Sequence, residues 1–132
     1  MMYSHTFTFE DGNPFTTGCT SVVTATIEGD TLGPYDVLVD ICVAQKLLRE
    51  VCSEYDHKNL DELAEFEGRN TTVEVVAKAV YDKLLARLSA HHKETLATSG
   101  KGFGSVTCLK ITLDESDVAS AAYWDNCAQH FA

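Results

Sequence analysis

From Tyr3 to Phe9 apolar and polar side chains alternate, with Tyr3, His5, Phe7 and Phe9 on one face. A period of two predicts a half-buried strand. Cys19 to Glu28 is rich in Val, Thr and Ile and predicts a second strand, ending at Gly29-Asp30. Between them Glu10 to Gly18 reads as a loop, with acidic residues, Gly12, Asn13, Pro14 and threonines. The pattern then changes period. Val43, Leu47, Leu48 and Val51 recur at helical spacing, which predicts a helix from about Asp40 to Tyr55 with Asp40 as its cap. A second helix is marked by Val73, Val76, Ala77, Val80, Leu84 and Leu88. Thr71-x-x-Glu74 before it reads as a capping box, and His91-His92 are expected at its C-terminal end, where a cation is favoured. "SVTCLKITLDE" alternates as a strand and "SAAYWDN" as a short final one.

The predicted order is ββααββ. It fits one α+β domain over residues 1–132, a four-stranded antiparallel sheet with two helices on one face. Strands this apolar leave no clean solvent side, so a homo-oligomer that covers the second face is expected.

A chain of 132 residues with 45% apolar side chains can bury a core. Its net charge of −10, from 20 acidic and 10 basic residues, and its scattered Lys and Arg argue against nucleic acid. No apolar run is long enough for a membrane span. "MMYSHTFTFED" does not read as a leader, so a cytoplasmic protein is expected. Five cysteines without a C-x-x-C suggest neither a disulfide framework nor a zinc ribbon. The glycines of "TSGKGFGS" match no phosphate-binding fingerprint and read as a connection between elements. Tyr123 and Trp124 read as core or interface anchors.

Three segments together resemble the 6-pyruvoyltetrahydropterin synthase and 6-carboxytetrahydropterin synthase family. "YDVLVDICVAQKLLREVCSEYDHKNLDEL" is similar to the family's "MVxDFxxLK…LDHKxLN", with Asp40, Asp56, His57, Lys58 and Leu60 in place. "FEGRNTTVEVVAKAVYDKL" is similar to "NPTxENLAxxIWxxL", with Asn70, Thr72, Glu74 and Ala77 matching and Thr71 replacing the proline. "LDESDVASAAYW" is similar to "xxETxxxxAxY", with Glu115, Ala121 and Tyr123 matching and Ser116 replacing the threonine. The resemblance implies the tunnelling fold (T-fold), whose trimers close a barrel and stack as a hexamer.

It also implies a chemistry, and here the chain departs from the family. The family's zinc is held by three histidines, one ending a "FxFEAAH" strand and two in "HGH". A zinc with an open position is a Lewis acid. A cysteine base, activated by an Asp-His couple, lies shortly before the pair. Laid on this chain, Asn13, Thr17 and Cys19 stand at the three histidine positions and the cysteine is missing. Asn and Thr are poor zinc ligands. No cofactor is therefore expected, zinc included, and His5 falls on no ligand position.

What the resemblance retains is a pterin side. One carboxylate can accept both donors of a pterin's N3–H and 2-amino group, and Glu115 stands at the family's pterin anchor. Ser116 could add a hydroxyl contact, and Asn70, Thr71 and Thr72 could complete the pocket from a neighbouring subunit or simply cap the helix. Asp56 and His57 read either as an acid/base pair or as a turn cap and a backbone-bonded imidazole. The expectation is a pterin-binding homologue that does not run the zinc-dependent reaction. Two alternatives stay open. One is a metal-independent enzyme, aldolase- or epimerase-like, using His57 with Cys19. The other is a non-catalytic assembly or regulatory subunit with a filled pocket.

Overall fold

The computed structural model describes all 132 residues, Met1–Ala132. Strand β1, Met2–Thr8, buries Tyr3 and His5 and half-buries Phe7, as the alternation requires. The chain then reverses within a few residues. Gly12 adopts φ 74°, open to glycine at no steric cost, and its N–H donates to the Phe9 carbonyl at 2.9 Å. The Asp11 carboxylate accepts from the Asn13 N–H at 2.9 Å.

Strand β2, Pro14–Thr20, follows at once and pairs antiparallel with β1, His5 opposite Thr17 and Tyr3 opposite Cys19. Much of the expected loop Glu10–Gly18 is therefore strand. Pro14 and Gly18 made it look like turn chemistry, but β2 lies at a sheet edge, with Pro14 as its first residue, where a missing ladder donor is tolerated.

Strand β3, Val22–Gly29, continues the same ribbon after Ser21. There the partner changes. The buried Ser21 donates its N–H to the Met1 carbonyl at 2.8 Å, and from Val22 onward β3 pairs with β5, Val106–Ser116. Strand β6, Ala119–Asn126, completes that ladder. The architecture is α+β, but the single four-stranded sheet becomes two three-stranded ones, β2-β1-β4 and β3-β5-β6. The added strand β4, Lys58–Asn59, runs parallel to β1. Two residues leave no periodic trace, so sequence pattern could not reveal it.

Helix α1, Ile41–Ser53, starts as expected, with the Asp40 carboxylate accepting from the Cys42 N–H at 2.8 Å. Helix α2, Val73–Ser99, is capped one residue later than expected. Thr72 Oγ1 accepts from the Val75 N–H at 3.3 Å, while Thr71 is fully buried before it. The helix also runs past His91-His92 and ends at Gly100, φ 71°, so those histidines are interior rather than terminal. His92 is buried and its Nδ1 accepts from the Phe103 N–H at 2.9 Å.

The core lies between the helices and one sheet face. Val51, Val76, Val80, Leu84 and Leu88 are buried together with Leu109, Ile111 and Leu113 of β5. Tyr123 joins them edge-on to Tyr81, centroids 4.8 Å apart. Trp124 points the other way and is 65% exposed. On its face stand Thr24, Thr26 and Lys110. The second face thus carries polar side chains, with Val22 and Trp124 as apolar exceptions, because the apolar residues of β3 and β5 fall on one side of the pleat. This face of the β3-β5-β6 sheet is therefore less apolar than the sequence pattern predicts, while Met2 and Phe15 of the β1–β2 ladder are exposed.

Candidate functional site

Where the two ladders meet, the end of β5 comes beside β2. Asp114 pairs with Val22, and the next two residues, Glu115 and Ser116, flank a cleft of about 500 Å3 whose other walls are His5 and Phe7 of β1 and Thr17 to Thr20 of β2. Glu115, Ser116, Thr17 and Cys19, residues far apart in sequence, meet there. The strand period fixes the rest: Thr17 and Cys19 share a face, and antiparallel register brings His5 and Tyr3 opposite them.

His5 is the residue that sequence reasoning set aside. It is 2% exposed, and its Nδ1 lies 2.6 Å from the Thr71 carbonyl. A carbonyl can only accept, so Nδ1 carries the proton and donates. The imidazole packs edge-on to Phe7, centroids 4.4 Å apart, and to Tyr3, 5.4 Å. The available signal was the alternation with Tyr3 and Phe7, but its meaning depended on recognising β2. Next to it, Cys19 Sγ is 3.8 Å from Ser21 Oγ. Burial raises the Tyr3 phenol well above its usual range, so this inward hydroxyl stays protonated.

Asn13, expected at the first histidine position, lies in the exposed turn and does not line the cleft. No three His, Cys, Asp or Glu side chains are gathered closely enough anywhere in the chain to hold a metal ion. The cleft holds one imidazole, one thiol and the Glu115 carboxylate, and these are not gathered into the tetrahedral donor set that zinc takes.

The residues before α2 have other partners. The Asn70 carboxamide accepts from the Thr8 N–H at 2.8 Å and donates to the Thr8 carbonyl at 3.0 Å. Thr71 gives its carbonyl to His5, and Thr72 caps the helix. None of the three lines the Glu115 cleft of its own chain, so a role there would fall to a neighbouring subunit; Asn70 borders a separate polar recess of about 420 Å3 with Thr6, Thr8 and Arg69.

Asp56 and His57 form a pair, His57 Nδ1 to Asp56 Oδ2 at 3.0 Å. The other carboxylate oxygen accepts from the Met2 N–H at 2.8 Å, and the His57 N–H donates to the Met2 carbonyl at 2.6 Å. His57 sits at φ 59°, a left-handed conformation that is uncommon outside glycine. The Met2 N–H, followed by His57, holds the Asp56 carboxyl below its usual range. The His57 side chain is 71% exposed. The pair leads into β4, so β1 stands between it and Cys19 on β2.

A larger recess, about 710 Å3, lies elsewhere, between Pro34–Ile41 and the last turns of α2. Its one ammonium, Lys101, is already engaged by the Tyr35 hydroxyl at 2.8 Å.

The family model described as 6-pyruvoyl tetrahydropterin synthase matches residues 4–126. In structure the chain is similar to 6-pyruvoyltetrahydropterin synthase from Plasmodium vivax, at 16% identity and a TM-score of 0.71 over 96% of this chain and 91% of that one. The enzyme from Plasmodium falciparum gives 13% and 0.70 over the same shares. That from Caenorhabditis elegans gives 18% and 0.60 over 93% and 89%. No sequence match was found among curated proteins.

Proposed function

The chain belongs to the 6-pyruvoyl tetrahydropterin synthase family, and on that premise we propose that it binds a pterin through Glu115 without running the family's zinc-dependent reaction. The observation that carries this reading is the position of Glu115: an exposed carboxylate with Ser116 beside it on an open cleft, opposite His5 and Cys19. A carboxylate is the group that accepts from two adjacent N–H donors. Asn13, Thr17 and Cys19 supply no three-histidine set, so polarisation of a bound side chain by zinc is not part of this proposal.

Two rival readings fare less well. Proton transfer between Cys19 and His57 has no direct route in one chain, because β1 intervenes and the two side chains do not touch. A purely structural subunit called for a pocket filled by side chains, and the cleft beside Glu115 is open. The assembly we propose is the hexamer of stacked trimers, in the cytoplasm. No helix is long and apolar enough to cross a membrane.

The test is a fluorescence titration of 7,8-dihydroneopterin with the wild type and Glu115→Gln. A charge-assisted hydrogen-bond pair predicts a loss of about tenfold or more in the variant. Equal binding by both proteins, or none by the wild type, would refute the reading. Light scattering measures the assembly, and elemental analysis of the purified protein reports its zinc.

A further inference from the structure

The recess of about 710 Å3 beside Pro34–Ile41 has the volume of a small-molecule pocket. It lies at the far end of the β3–β5 ladder from Glu115. Val22 pairs with Asp114 beside the cleft, whereas Gly29 pairs with Val106, next to the segment 30–40 that walls the recess. Strand β3 between them spans about 23 Å, so one small molecule cannot touch both sites.

The wall is held in place. The Ser105 N–H donates to the Thr31 carbonyl and the Gly104 N–H to the Leu38 carbonyl, each at 2.8 Å. Between these two ties stand Tyr35 and Asp36, in the left-handed region at φ 62° and 58°. Residues other than glycine adopt it rarely, and strain of this kind collects at binding sites. Leu38, Val39 and Phe103 form an apolar floor, and the His91 ring stacks on Phe103, centroids 5.7 Å apart.

Opposite charges line this recess without pairing. Lys101 Nζ donates to Tyr35 Oη at 2.8 Å and lies 5.0 Å from the centre of that ring. The neutral phenol takes one of three ammonium donors and leaves the charge uncompensated. Asp36 lines the same recess and is in no ion pair. Asp40, the other carboxylate, gives one oxygen to the Cys42 N–H. A simple anion in the recess would face Asp36 and Asp40, and a simple cation would face Lys101. A molecule with both charges at one end meets each with its opposite.

We propose that this recess binds an α-amino acid with an aromatic side chain. The ligand's carboxylate accepts from Lys101, its ammonium donates to Asp36, and its ring lies on Leu38, Val39 and Phe103. The site is separate from the Glu115 cleft and does not depend on the pterin reading.

The experiment titrates three probes into the full chain by calorimetry. They are L-phenylalanine, 3-phenylpropionate, which lacks the ammonium, and 2-phenylethylamine, which lacks the carboxylate. The wild type should bind L-phenylalanine about tenfold or more tighter than either, the range of a charge-assisted hydrogen bond. Lys101→Met should weaken L-phenylalanine by about tenfold without weakening 2-phenylethylamine. Asp36→Asn should weaken it comparably without weakening 3-phenylpropionate. Both side chains are exposed, so both variants keep the fold. Glu115→Gln should bind L-phenylalanine as the wild type does. No binding of L-phenylalanine by the wild type at millimolar concentration overturns the proposal. So do equal affinities for the three probes, as on an unselective apolar surface, or an affinity unchanged in either charge variant. Loss of L-phenylalanine in Glu115→Gln, or its displacement by saturating 7,8-dihydroneopterin, would put the amino acid in the cleft and also overturns it.

Discussion

Asn70 grips the backbone of Thr8 at two points, accepting from its N–H at 2.8 Å and donating to its carbonyl at 3.0 Å. The carboxamide imitates a neighbouring strand at the end of β1 and ties it to the residues before α2. Asn70→Ala should cost about 1–2 kcal/mol, since two partly exposed hydrogen bonds return to water. Urea denaturation measures this, and pterin affinity should change less than twofold. The opposite pattern, unchanged stability with lost affinity, would assign Asn70 to the ligand.

The cap of α2 gives Thr72 and Glu74 different weights. Thr72→Ala removes the oxygen that accepts from Val75 and should destabilise the chain by about 1 kcal/mol. Glu74→Ala should be nearly neutral, because the cap runs from Thr72 and not from a Thr71–Glu74 box. Thermal melts of both variants make the comparison. A larger loss for Glu74→Ala would restore the capping box.

Asp56 predicts an acid dependence. Its carboxyl is held below the usual range chiefly by the Met2 N–H. A lowered folded-state pKa means that the ionised form favours the fold. That contribution is complete above the ordinary carboxylate pKa, about 4, and is lost as the pH falls through the depressed folded value. Asp56→Asn keeps an acceptor for Met2 but no charge. Its melting temperature should lie below that of the wild type at pH 7, and the gap should narrow as the pH falls below about 4. A gap that is constant over this range would show that the charge of Asp56 has no role.

The cysteines should react in an order set by access. Cys42 is exposed, whereas Cys127 is fully buried and burial pushes its thiol up to about 11. Only the thiolate is nucleophilic, so iodoacetamide at pH 7.5 should label Cys42 first and Cys127 last. Cys19, in the cleft, should be labelled more slowly once a saturating pterin is present. Mass spectrometry of the peptides reads both effects, and labelling of Cys19 at an unchanged rate would place the ligand elsewhere.

What the sequence determined by itself was local or carried by short motifs. Asp40 and the spacing of Val43, Leu47 and Leu48 set α1 because capping and helical period act within a few residues. The same holds for the apolar face of α2 and the alternation of β1 and β5. The motif around Glu115 was legible for a similar reason. Tertiary structure decided everything that depends on a distant partner. Pro14 to Thr20 has weak strand character and becomes β2 only because β1 is there to pair with it. The sheet divides at Ser21 because β1 and β5 each claim one half of the ribbon. Asn13, aligned by motif with the cleft, is carried out of it by the tight turn. His5 owes its tautomer to a carbonyl 66 residues away. Hydrogen-bond partners at such separations leave no periodicity in a single sequence, and they are what make a strand histidine a wall of the Glu115 cleft.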